Sequence, residues 1–181
     1  LFLLVWALRR KAPAASAYGW FGLMALAWLG YLTTYLADTQ WPWPDSITRS
    51  RFGMVALVCY VLCACQFTLR FGGQRMPRVE RVLWALAALG AGAAVLAPDE
   101  TAGAWFSAVW RGAMGVFLLN CVQFQWHAWR PRPGGRRPLH LLLALCWLVF
   151  AVVALTTLGL VPDVWHVARN WAALSGLLVI T

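Results

Sequence analysis

The chain is written in long apolar runs separated by short polar breaks. The runs cover about residues 1–8, 18–37, 51–71, 79–97, 102–129, 139–160 and 164–181. The inner five approach or exceed the ~20 residues that, at ~1.5 Å rise, cross the ~30 Å hydrocarbon core of a bilayer. The pattern therefore predicts seven membrane-spanning helices, the first and last incomplete. Leu1 and Thr181 both lie inside apolar runs and no initiator Met is present, so a piece of a longer protein is expected.

The breaks are of two kinds. Basic breaks hold Arg9, Arg10 and Lys11; Arg70, Arg75, Arg78 and Arg81; and Arg130, Arg132, Arg136 and Arg137, eleven of the fifteen basic residues. Asp38, Asp45, Asp99, Glu100 and Asp163, five of the six acids, lie in the others. Cytoplasmic loops carry the excess of Lys and Arg. Because the two kinds alternate, the expected topology places the N-terminus outside and the C-terminus inside. The fold class predicted is an all-α membrane protein, a single seven-transmembrane-helix bundle.

Composition agrees with this. The chain is 62% hydrophobic and 12% charged, where a soluble domain is nearer half and a quarter. The net charge of +9 sits in short clusters between apolar runs, not in a stripe. That excludes nucleic acid as the expected partner and leaves the lipid bilayer. Trp41 and Trp43, in the break after the second span, suit the headgroup belt. Arg49 and Arg51 depart from the charge rule, and the expectation is that they pair with Asp45 or meet lipid phosphate. Glu80, the acid on the basic side, is expected in the first turn of the fourth span, where it complements the helix dipole.

Inside the spans the strong anomaly is Arg111, about eight residues into the fifth. A buried Arg is costly in hydrocarbon unless it snorkels to the headgroups or finds partners. The candidate partners are Tyr35, Asp38, Asp163, His166 and Asn170, and the cluster would suit an anionic or polar ligand. Ala104, Ala108 and Gly112 form a small-residue stripe that predicts a close neighbour. Asn120, Gln123 and Gln125 predict interhelical hydrogen bonds. Gly19, Gly22, Ala25 and Gly30 let the second span approach another helix. The fourth span, rich in Ala and Gly, is expected inside the bundle.

Catalytic signals are absent. There is no His-Glu-x-x-His or Gly-x-Ser-x-Gly sequence, and the one lysine, Lys11, lies in a loop. Ionisable carboxylates are missing from the spans, which removes the usual carriers of proton relays. Cys59, Cys63, Cys65, Cys121 and Cys146 are expected to pack as small hydrophobes. His127 and His140 flank a basic break, which suits solvated helix ends better than haem or metal. No cofactor is expected.

Several segments carry a resemblance: Leu8-Arg-Arg-Lys11 closing the first span, Tyr18-Gly-Trp-Phe-Gly22 opening the second, and the Trp41-Pro-Trp-Pro44 break. Phe67-Thr-Leu-Arg-Phe71 with Pro77-Arg78 and Glu80-Arg81, and Leu158-Gly-Leu-Val-Pro162, complete it. With seven spans and short loops, the chain resembles the bacterial 7TM receptors with diverse intracellular signalling modules, the 7TMR-DISM family. The resemblance implies a sensory module in the bacterial inner membrane, with an outer sensory domain before it. It also implies a cytoplasmic output domain after it, a histidine kinase or diguanylate cyclase, and a homodimer. A transporter fragment or an integral membrane enzyme are the other classes that fit the composition.

Overall fold

The computed structural model describes residues 15–36, 42–129 and 137–157. Among the described residues every regular element is helical. Helix α1 is Ala15–Leu36, α2 is Ser46–Phe71 and α3 is Pro77–Leu96. A 3-10 turn, Asp99–Thr101, leads into α4, Ala102–Trp129, and α5 is Arg137–Thr157. These are the second to sixth predicted spans. The first and seventh, at 1–8 and 164–181, lie outside the described residues. Three stretches, Ser46–Phe71, Pro77–Leu96 and Asp99–Trp129, are long and apolar enough to cross a membrane.

Local chemistry sets the helix ends. Hydropathy alone starts α2 at Arg51, but the helix begins five residues earlier. Asp45, in extended backbone, accepts a hydrogen bond from the Thr48 N–H at 2.5 Å and caps it, satisfying a donor that the first turn leaves unpaired. The other end closes on Gly72 and Gly73. Gly73 takes a left-handed φ of +67°, and the Gly73 and Gln74 N–H groups donate back to the Arg70 and Leu69 carbonyls. That double return is open to a residue with no Cβ penalty. Helix α3 starts on Pro77, whose missing N–H costs nothing at a first helical position.

The chain divides into two compact units, Leu1–Ala113 and Met114–Thr181. In the first, α2 is the interior helix. From Ala56 to Leu69 every residue except Cys59 is buried. Helix α1 runs antiparallel along it. Trp28 stacks on Tyr60 at 4.9 Å and Phe21 on Phe67 at 5.5 Å. Helix α3 lies antiparallel along another face of α2, with Val58 against Gly90. Trp20 of α1 meets Trp84 of α3 edge-on at 6.3 Å.

The Ala- and Gly-rich helix expected inside the bundle is in fact peripheral. Within α3 only Ala94 is buried, and Leu89 and Leu96 are 70% and 81% exposed. The reason is physical. In lipid an apolar surface needs no cover, so hydrophobicity does not choose the interior helix. Groups that lipid cannot satisfy do so, and α2 carries Arg49, Arg51 and Arg70, each of which reaches another element.

The second unit contains residues 114–129 of α4 together with α5. Phe117, Trp147 and Phe150 form a ring cluster, with centroids 5.2 to 6.3 Å apart. Cys121, Phe124 and Ala144 are at most 1% exposed beside it.

Candidate functional site

Among the described residues the two ion pairs lie at the two ends of α2. At its N-terminal end two arginines separated by Ser50 hold two different elements. Arg49 donates from Nε to the Thr34 carbonyl, 2.6 Å away in the last turn of α1. Arg51 donates from one amino nitrogen to the Ala97 carbonyl at 2.8 Å and to Asp99 Oδ1 at 2.6 Å. It thereby fastens the connection between α3 and α4. The expected pairing of these arginines with Asp45 is not the one formed. Asp45 caps α2 instead. Hydrogen bonds from Thr48, side chain first and backbone second, hold its carboxyl below the usual carboxylate range, with a smaller contribution from the Arg51 charge.

At the other end Arg70 donates to Glu80 Oε2 at 2.8 Å. Glu80 lies in the first turn of α3 as expected, and it also ties α3 to α2. This pair is better shielded than the first. Its side chains are 30% and 20% exposed, against 29% and 67% for Arg51 and Asp99. One turn before Arg70, on the same face, Gln66 is 1% exposed, and among the described residues neither its amide nitrogen nor its amide oxygen has a partner. Arg70 Nε is also buried without one among the described residues.

Arg111 is exposed. Its Nε donates to the Ser107 carbonyl at 3.3 Å and one amino nitrogen donates to Ser107 Oγ at 2.8 Å. Ser107 is its only hydrogen-bond partner among the described residues. Of the cluster predicted around it, the Tyr35 side chain and Asp38, Asp163, His166 and Asn170 lie outside the described residues. The stripe of Ala104, Ala108 and Gly112 is exposed, not covered by a neighbouring helix, and a Cβ added at Gly103 or Gly112 would meet nothing within 4 Å. The approach predicted for α1 is made at Gly30, where a Cβ would stand 3.7 Å from the Phe52 ring and 3.8 Å from Ala56 Cβ, and Gly53 of α2 comes closer still to Thr34.

In the second unit Gln125 bridges two helices. Its amide nitrogen donates to the Ala144 carbonyl of α5, and its oxygen accepts from Trp129 Nε1 at 3.1 Å. Interhelical bonding by this residue type was expected from its place in an apolar run. His127 lies in the last turn of α4, and the His140 side chain is outside the described residues. Among the described residues no three of His, Cys, Asp and Glu come together as a metal site would need. Cys63, Cys65 and Cys121 are buried thiols, and Cys59 is exposed.

The missed relationships are the links from α2: Arg49 to the end of α1, Arg51 to the α3–α4 connection, and Arg70 to Glu80. Their one sequence signal was the basic pair Arg49 and Arg51 standing on the acidic side of the chain. The chain matches no model of a protein family, no curated protein and no solved structure.

Proposed function

We propose that this chain is the transmembrane sensory module of a bacterial receptor. Its place is the cytoplasmic membrane, with the acidic connections outside and the basic ones inside. It couples a stimulus from outside or within the bilayer to a cytoplasmic output domain, most simply a histidine kinase, and works as a homodimer.

The observation that carries this reading is the treatment of α2. A helix buried along most of its length is tied by ionic side chains at both ends, each time to a different element. Arg51 reaches the connection that Asp99 begins, and Arg70 reaches Glu80 at the start of α3. A shift of α2 along its axis strains both ties together. A displacement at the acidic end is therefore felt at the basic end, about 30 Å away along 20 residues of helix. Signalling needs two arrangements differing by a few kcal/mol, with a stimulus that favours one. Partly exposed ion pairs are weak enough to exchange within that range.

The proposal is tested by locating the loops and then the output. Reporter fusions at Gly73 and at Glu100 should report opposite sides of the membrane, with Gly73 inside. The coding sequence about 250 codons past Thr181, room for one or two domains, should encode a phosphoacceptor-histidine helix with an ATPase domain, or a cyclase domain. Further membrane spans in that place would move the chain to the transporters or membrane enzymes.

A further inference from the structure

Arg111 sits where a bilayer ends, not where it is thickest. The stretch Asp99–Trp129 has 31 residues, about 46 Å of helix against ~30 Å of hydrocarbon. Part of it therefore lies in the headgroup region. Tryptophans mark that region in membrane helices, and this stretch has two near each end: Trp105 and Trp110, then Trp126 and Trp129. Trp105 with Trp126, or Trp110 with Trp129, spans about 30 Å. On either setting Arg111 is within ~9 Å of the hydrocarbon boundary at the Asp99 end.

Its side chain points toward that boundary. Helical side chains lean toward the helix N-terminus, and the guanidinium is held one turn back by Ser107. Beside it Gly103, Ala104, Ala108 and Gly112 are exposed, and at the two glycines there is open space. The result is a shallow bare strip with a cation and a hydroxyl along one side.

We infer that this strip is a binding site for the phosphate of a phospholipid from the leaflet that surrounds the N-terminal end of α4. Charge complementarity selects the occupant. A guanidinium at that depth meets one abundant class of anion, the lipid phosphodiester. Arg binds phosphate through paired N–H donors, and Ser107 fixes the direction of the fork. The small residues leave room for the glycerol and the first methylenes against the helix. A second copy of the chain is the poorer occupant. A two-fold axis through this face would bring each Arg111 toward its counterpart, because symmetric interfaces place the same patch on both sides. The site rests on the membrane reading of α4.

The experiment is native mass spectrometry of the full chain released from bilayers of phosphatidylglycerol and phosphatidylcholine, with Arg111→Gln, Arg111→Lys and Ser107→Ala compared with wild type. Arg75→Gln, in a basic connection, is the control. The expected result is retained phosphatidylglycerol in wild type, about fivefold less in Arg111→Gln, the weight of one cation at an anionic surface, and an intermediate value in Arg111→Lys. Arg75→Gln should leave it unchanged. Equal retention by Arg111→Gln, or an equal loss in Arg75→Gln, overturns the site. So does displacement of the lipid by inorganic phosphate, or disulfide crosslinking of two chains through Ala108→Cys. Wild-type protein washed from membranes by alkaline carbonate would overturn the membrane reading as well. Protein that stays in the membrane while Arg111→Gln keeps its lipid overturns this inference alone.

Discussion

Gly53 of α2 lies so close to Thr34 of α1 that a Cβ at position 53 would stand 2.9 Å from Thr34 Oγ1. That hydroxyl is engaged, donating to the Tyr31 carbonyl at 2.6 Å, so it does not swing aside freely. The neighbouring Arg49 to Thr34 bond depends on the same approach of the two helices. Gly53→Ala should therefore destabilise the fold by about 1–3 kcal/mol, the usual cost of overpacking. Adding Thr34→Ala removes the obstructing hydroxyl and should recover most of the loss. Thermal unfolding in detergent, followed by tryptophan fluorescence, reads both. A Gly53→Ala protein as stable as wild type would show that the helices part without cost.

Gln66 and Arg70 make a prediction of sign. Both amide atoms of Gln66 and the Nε of Arg70 are buried without partners among the described residues, and an unsatisfied buried polar group costs about 1–3 kcal/mol. Gln66→Leu should raise thermal stability. When Glu80→Ala removes the carboxylate that Arg70 holds, the Gln66 amide oxygen, one turn back on the same face, is the acceptor expected to replace it. In that background Gln66→Leu should lower stability. A double-mutant cycle decides the matter, since the same sign in both backgrounds contradicts the argument.

The Asp45 cap should leave a trace in the acid limb of stability. Its carboxyl is held below the ordinary carboxylate range in the folded chain by Thr48. A depressed folded value contributes stability above the unfolded value, near pH 4, and loses it as pH falls through the folded value. Asp45→Asn can still accept from Thr48 but does not titrate. Melting temperatures measured from about pH 3 to pH 6 should fall less steeply for Asp45→Asn than for wild type. Parallel curves would mean that the cap does not sense the proton.

Gln125 is expected to matter in the second unit through its donor. Replacing it with Leu removes the bond to the Ala144 carbonyl and leaves Trp129 Nε1 without its acceptor. The cost should be about 0.6–1.7 kcal/mol, the range measured for interhelical hydrogen bonds in membranes. Gln125→Glu keeps the acceptor for Trp129 but loses the donor to Ala144, so it should not rescue the loss. Full recovery in Gln125→Glu would assign the effect to Trp129 instead. Unfolding in detergent as a function of denaturant reads this series.

The class of the chain and most of its element boundaries were legible in its letters. An apolar run needs no partner to declare itself, because every backbone group in it must be paired within the helix when water is absent. The limits of α4 follow from Pro98-Asp99-Glu100 on one side and Arg130 on the other. The start of α2 was missed by five residues because a cap is a hydrogen bond from the Thr48 N–H to Asp45 and not a change in hydropathy.

The sequence by itself determined that this is a helical protein with runs apolar enough for a membrane, where the five described helices fall to within a few residues, and that Arg49, Arg51 and Arg111 are out of place. Only the tertiary structure decided which helix is interior and where those charges go. Hydropathy measures transfer from water, and among helices in lipid it no longer ranks inside against outside. The interior went to α2 because its groups need partners from other elements: Arg51 takes Ala97 and Asp99, and Arg70 takes Glu80. Such pairings join residues as far apart as 48 positions, and they depend on directions in space that no local pattern of side chains records.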